Sequence, residues 1–108
     1  METEMKKVIR NGKVAVLVSS GVGAGWYSWN SAHKEILFHP KVVEMVEQGR
    51  NNKIDDEWVK ENLWIDNIYC GGVGGLTIHW LPAGTSFSIE EYDWAEVLMT
   101  SESLNQIA

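Results

Sequence analysis

The sequence predicts an α+β fold, a mostly antiparallel sheet with two short helices packed on one face. Three observations predict it. Short β-rich runs bounded by glycine, proline and asparagine occupy both ends of the chain. Two segments between them, near 40–50 and 54–64, carry helical periodicity and helix-start chemistry. A length of 108 residues with 44% hydrophobic content suits one globular domain. That domain is expected over residues 1–100, and 101–108 reads as a tail with no evident anchor and a tendency to disorder.

Taken in order, KKVIRNGKVAVLVSS predicts a hairpin. Asn11-Gly12 is the preferred pair for a two-residue turn in which both positions take positive φ. Val14 to Val18 is apolar on both faces, which predicts a central strand. HPKVVEMVEQGR predicts a short helix. Pro40 suits its first position, where a missing N–H costs nothing. Val42, Val43, Met45 and Val46 share one face, and Gly49 fits the left-handed residue past the end. IDDEWVKENLW predicts a second helix, with Asp55 as N-cap, Asp56 and Glu57 in the first turn, and Ile54 and Val59 spaced as a hydrophobic staple. NIYC, LTIHWL, SFSIEEY and AEVLM then read as strands. Gly71 to Gly75 and Pro82-Ala83-Gly84 are the breaks between the first three, and the glycine run reads as a long hairpin loop.

Bulk charge narrows the partners. Net charge is −6. Residues 1–53 hold eight Lys/Arg and five Asp/Glu, whereas 54–108 hold Lys60 as their only base and ten acids. No coherent basic stripe is visible, so a nucleic-acid polymer is not an expected partner. A small anion remains possible, because a few backbone N–H groups and one or two bases hold it. No run of about 18 apolar residues is present, so no membrane partner is expected. METEMKKVIR lacks the apolar stretch of a secretion signal, and Cys70 is the one cysteine; both favour the cytoplasm.

The most unusual stretch is GVGAGWYSWN, residues 21–30. It lacks the Gly-Lys pair of a phosphate-binding P-loop, and its sixth position is Trp26 where a dinucleotide fingerprint needs glycine. Glycine at this density still lets backbone approach a ligand, and it equally well makes turns. Trp26, Tyr27 and Trp29 follow at once. Such rings serve a core, stack on a planar ligand or anchor a protein interface. A ligand site here would consist of Gly23, Gly25, Trp26, Tyr27, Trp29 and Asn30, with Asn30 reading a polar edge and Lys34 or Arg10 neutralising charge. Small proteins often build such sites between subunits, so a homo-oligomer is expected. GGVGG, at 71–75, could meet this segment across a shared pocket.

Catalytic and metal motifs are weak. His33, His39 and His79 have no zinc-ligand spacing with Cys70, so neither metal nor cofactor is expected. No G-x-S-x-G elbow is present. Cys70 becomes a nucleophile only if a histidine meets it in space; a buried inert cysteine is the simpler reading.

The stretches GVGAGWYSWN, EILFHPKVVEMVEQGR and TSFSIEEYDWAEV together resemble a group of small phage and bacterial proteins without a settled role. The likeness spans about residues 13–97. It implies a G-x-G-A-G-W-Y-x-W-N segment, an E-x-L-F strand before a short helix, and an I-E-E-Y-D segment, after which Trp94 stands where glycine is expected. A link to phage proteins that sequester the nucleotide signals of bacterial defence follows only through this likeness. The expectation is therefore a non-catalytic binding protein for a small planar anionic ligand such as a nucleotide. The alternative is a structural or protein-interaction module whose aromatic cluster is core or oligomer interface.

Overall fold

The computed structural model describes residues 7–19, 26–30, 33–65, 68, 70, 72–92, 95–100 and 106–108. Strand β2, Lys13–Ser19, organises it. Its run Val14–Val18 has no polar side and needs cover on both faces; every residue of that run is buried. β2 lies at the centre of a three-stranded antiparallel sheet, between β1 (Ile9–Arg10) and β3 (Leu76–Pro82). β1 reaches it through Asn11 and Gly12, with φ of 52° and 75°, as a two-residue hairpin with both central residues left-handed requires. β3 arrives from the second half of the chain, paired from Lys13↔Pro82 to Ser19↔Leu76.

A second three-stranded antiparallel sheet has β4 (Ser86–Tyr92) between β5 (Ala95–Thr100) and β6 (Gln106–Ile107). The single sheet read from the sequence is thus divided in two, for a physical reason. The helices cover only one face of β2, so the β4–β5 hairpin folds over to cover the other. Ala15 and Leu17 with Leu76, Ile78 and Trp80 pack toward the helices. Val14, Val16 and Val18 pack toward Phe87, Ile89 and Leu98 of the second sheet, together with Leu37 and Phe38. The Phe38 and Phe87 rings meet edge to face, 6.1 Å between centroids.

Helix α1, Pro40–Glu47, begins with Pro40, and Lys41 N–H donates to His39 Nδ1 at 3.2 Å. Val42, Val43 and Met45 form its buried face, and Gly49 takes φ 69° just beyond its end. Helix α2, Asp56–Leu63, is capped by Asp55, whose carboxylate accepts from Trp58 N–H at 2.8 Å. Ile54 and Val59 are both buried at the staple positions. α2 ends on Trp64 in the left-handed region at φ 58°, with the residue 88% exposed.

Other local expectations change. Ile68 is buried and Cys70 half-buried, yet neither lies in a strand; residues 67 and 69 lie outside the described residues. Val73–Gly75 is a 3₁₀ turn and not a hairpin loop, because β3 pairs with β2 instead of with the segment before the glycines. The E-x-L-F segment, Glu35 to Phe38, expected as strand through the family likeness, falls instead in the 3₁₀ turn Lys34–Leu37 and its end, with Ile36 and Leu37 inward. The end of the chain has an anchor the sequence reading lacked. Ile107 pairs with Ser86, and Ala108 N–H donates to Thr85 O at 2.8 Å while its carbonyl accepts from Gly84 N–H at 2.7 Å. Ala108 packs into the cluster between the sheets, so 106–108 belongs to the fold, while 101–105 lies outside the described residues. Among the described residues, no helix is long and apolar enough to cross a membrane.

Replacing Asp55 with alanine removes the α2 cap and lowers unfolding free energy by about 1 kcal/mol in urea titrations. Asp56→Ala removes only a charge near the same helix end and changes it by about 0.5 kcal/mol or less.

Candidate functional site

The two flanks of the glycine-rich segment converge on one carboxylate. Ser19 closes β2, and Trp26 opens a 3₁₀ turn at Tyr27–Trp29. Ser19 N–H donates to Glu96 Oε1 at 2.8 Å. Trp26 N–H donates to Oε2 at 2.7 Å, as do Ser28 N–H at 2.8 Å and Ser28 Oγ at 2.7 Å. Glu96 is 2% exposed, and among the described residues it has no ion-pair partner. An isolated carboxylate at this depth would be prohibitive. Four donors stand in for water here, in charge-assisted bonds stronger than neutral ones.

Strand alternation puts Glu96 there. In β5, Glu96 and Leu98 point inward, while Val97 and Met99 face outward at 40% and 46% exposure. The usual pattern is reversed, with the acid inside and apolar residues outside. The signal was present in AEVLM as soon as it was read as a strand: one of its two faces had to carry the acid beside Leu98. The sequence reading did not single out Glu96, nor its donors Ser19 and Ser28.

The second glycine cluster joins the same region. Ser19 Oγ donates to Gly72 O at 2.8 Å. Asn51 Nδ2 donates to both Val73 O and Leu76 O at 3.0 Å, tying the turn before β3 to the loop between the helices. Ser19, which precedes the first glycine-rich stretch, therefore touches Gly72 of the second.

The expected ligand residues fare unequally. Trp26 is wholly buried: its ring sits in the helix-side core, and its Nε1–H donates to Ile36 O at 2.9 Å. It is sealed from a surface ligand, because its ring is packed among core residues such as Ala15, Leu17 and Ile36. Asn30 is 7% exposed, and its Nδ2 donates to Trp26 O at 2.8 Å. It braces the turn and does not face outward. Arg10 is committed elsewhere, in a two-pronged pair with Glu47 whose second bond is 2.9 Å. Its guanidinium also lies 5.4 Å from the centroid of the Trp80 ring. The hydrogen bond from Arg10 holds the Glu47 carboxyl below its ordinary range. Tyr27 is half-buried between the two core clusters, and Lys34 is exposed. Gly23, Gly25 and the Trp29 side chain lie outside the described residues.

Cys70 sits half-buried beneath the helices, where burial, with Asp56 and Asp55 adding to it, pushes the thiol up to about 11. At neutral pH it is a protonated thiol, unsuited to nucleophilic attack. Among the described residues, no group of three His, Cys, Asp or Glu side chains is placed to hold a metal ion. Comparison with protein-family models, curated proteins and solved structures finds no match to this chain.

Three outcomes follow. Glu96→Ala leaves three backbone N–H groups without their acceptor and lowers unfolding free energy by about 3 kcal/mol or more in denaturant titration. Ser28→Ala removes one hydroxyl bond and lowers it by about 1–2 kcal/mol. Alkylation of Cys70 by iodoacetamide is slow at pH 7 and accelerates as pH approaches 11, followed by intact-protein mass spectrometry.

Proposed function

We propose that this chain is a small non-catalytic binding protein that offers the surface around the Tyr27–Trp29 turn to a small planar ligand such as a nucleotide. The observation that carries the reading is the Glu96 clamp. A buried carboxylate holds both flanks of the glycine-rich segment in place. A core built only for stability does as well with apolar residues of similar volume. Committing a charge to the ends of one loop supports a role for that loop's shape.

The ligand-facing set is smaller than the one read from the sequence. Tyr27 and Trp29 supply aromatic surface, Lys34 supplies positive charge, and Gly23 and Gly25 belong to the segment whose ends are clamped. Trp26 and Asn30 brace the start and end of the turn that carries Tyr27. Glu96 already occupies the N–H groups of Ser19, Trp26 and Ser28, so charge neutralisation of an anionic ligand rests on Lys34. The likeness of GVGAGWYSWN to small phage proteins favours a nucleotide signal as ligand and the cytoplasm as the place of action. A structural or protein-interaction module is the second reading; the complete burial of Trp26 in its own subunit favours the version in which the aromatic cluster is core.

Tryptophan fluorescence and calorimetry across linear and cyclic nucleotides test the proposal. A ligand that binds wild type should bind Tyr27→Ala and Lys34→Ala at least about tenfold more weakly, about 1.4 kcal/mol each, with the thermal midpoint of Lys34→Ala nearly unchanged. No response to any nucleotide sinks it.

A further inference from the structure

We propose that β5 is an edge through which two copies of this chain pair, antiparallel, about a two-fold axis at Leu98. The proposal stands independently of any ligand.

The β4–β5 register fixes what this edge offers. Tyr92 pairs with Ala95 across a two-residue link, so the hydrogen-bonded pairs of the hairpin are 92↔95, 90↔97 and 88↔99. Ala95, Val97 and Met99 therefore spend their backbone groups on β4. Glu96, Leu98 and Thr100 turn their N–H and C=O groups the other way, where no backbone partner is present among the described residues.

Natural edge strands are normally blunted by brevity, lysine, proline, a bulge or an inward-pointing charge. β1 and β6 are two residues each. β3 ends in Pro82, and at its other end the Leu76 carbonyl is taken by Asn51. β5 spans six residues, AEVLMT, with neither lysine nor proline. Its inward charge, Glu96, is consumed within its own subunit by Ser19, Trp26 and Ser28, so it does not oppose pairing.

A second copy is the occupant that the register and the uncharged outward side chains of β5 favour. Each copy carries −6, and the second half of the chain is strongly acidic, so copies repel over most of their surface. Along β5 the outward side chains are Val97 and Met99, both uncharged. Centring the axis on Leu98 makes the two Leu98 residues exchange N–H···O=C bonds. It sets Glu96 opposite Thr100 of the second copy, avoiding a facing pair of acids. It sets Val97 opposite Met99 of the second copy as a non-hydrogen-bonded pair, where side chains approach most closely. Two outward, exposed apolar residues thus cover each other across the axis.

Sedimentation velocity over a range of protein concentrations tests this. Wild type should form a dimer or an even multiple of it. Val97→Lys combined with Met99→Lys should halve the assembly while keeping the wild-type circular dichroism spectrum. Ile9→Lys and Trp64→Lys, at exposed apolar positions elsewhere, should leave the assembly intact. Register is tested separately in a Cys70→Ala background: Val97→Cys with Met99→Cys should oxidise to a covalent dimer, and Ile107→Cys should not. A wild-type monomer at every concentration overturns the proposal. So does an assembly that survives the paired lysines, one that Trp64→Lys or Ile9→Lys disrupts instead, or the lack of the paired-cysteine cross-link.

Discussion

The Glu96 carboxylate is the interaction on which the rest of this structure turns. It projects from one sheet into the end of the other, where its two oxygens collect donors from Ser19, Trp26 and Ser28. Each participant solves another's problem. The carboxylate needs donors because it is out of water. The backbone amides at Ser19 and Trp26 need acceptors because the chain leaves regular structure there. One side chain therefore fixes the end of β2, the start of the next turn and the relative placement of two sheets. Ser19 extends the arrangement by a further bond to Gly72, so the loop before β3 is referenced to the same point.

This arrangement assigns the aromatic segment two different tasks. Trp26 is a core residue whose indole nitrogen is tied to Ile36 O, and Asn30 secures the Trp26 carbonyl. Together they form a rigid floor. Tyr27, between the two hydrophobic clusters, is only partly covered. For the proposed ligand site, a fixed base beneath a partly open ring would lose less freedom on docking than a wholly mobile loop.

Local features were legible in the sequence, since each depends on neighbours in the chain. Asn11-Gly12 specifies its own backbone angles, Asp55 caps the helix that begins beside it, and Pro40 and Gly49 bracket α1. Strand existence was legible for β2 to β5. Pairing was not. Nothing near GGVGG says that LTIHWL joins residues 13–19 rather than the segment just before it. Two-sheet layering follows from the need to cover both faces of Val14–Val18, a need the sequence displayed without naming the cover. The anchor at Ala108 rests on contacts with Thr85 and Gly84, which no pattern within the last eight residues encodes. At the site, the aromatic cluster was visible as composition, but its division into floor and surface required knowing that an acid in AEVLM would seize the backbone amides around it.

The pairing of β2 with β3 also governs the order in which the molecule comes into being. On a growing chain, residues 13–19 emerge early, and their long-range partner at 76–82 emerges much later. Until then the Val14–Val18 ribbon has only the two-residue β1 beside it and neither of its layers complete. Such non-local closure slows folding and prolongs the interval in which a sticky strand stands open to chaperones or to other nascent chains. A ribosome that stalls before position 76 releases a product that cannot bury its own centre.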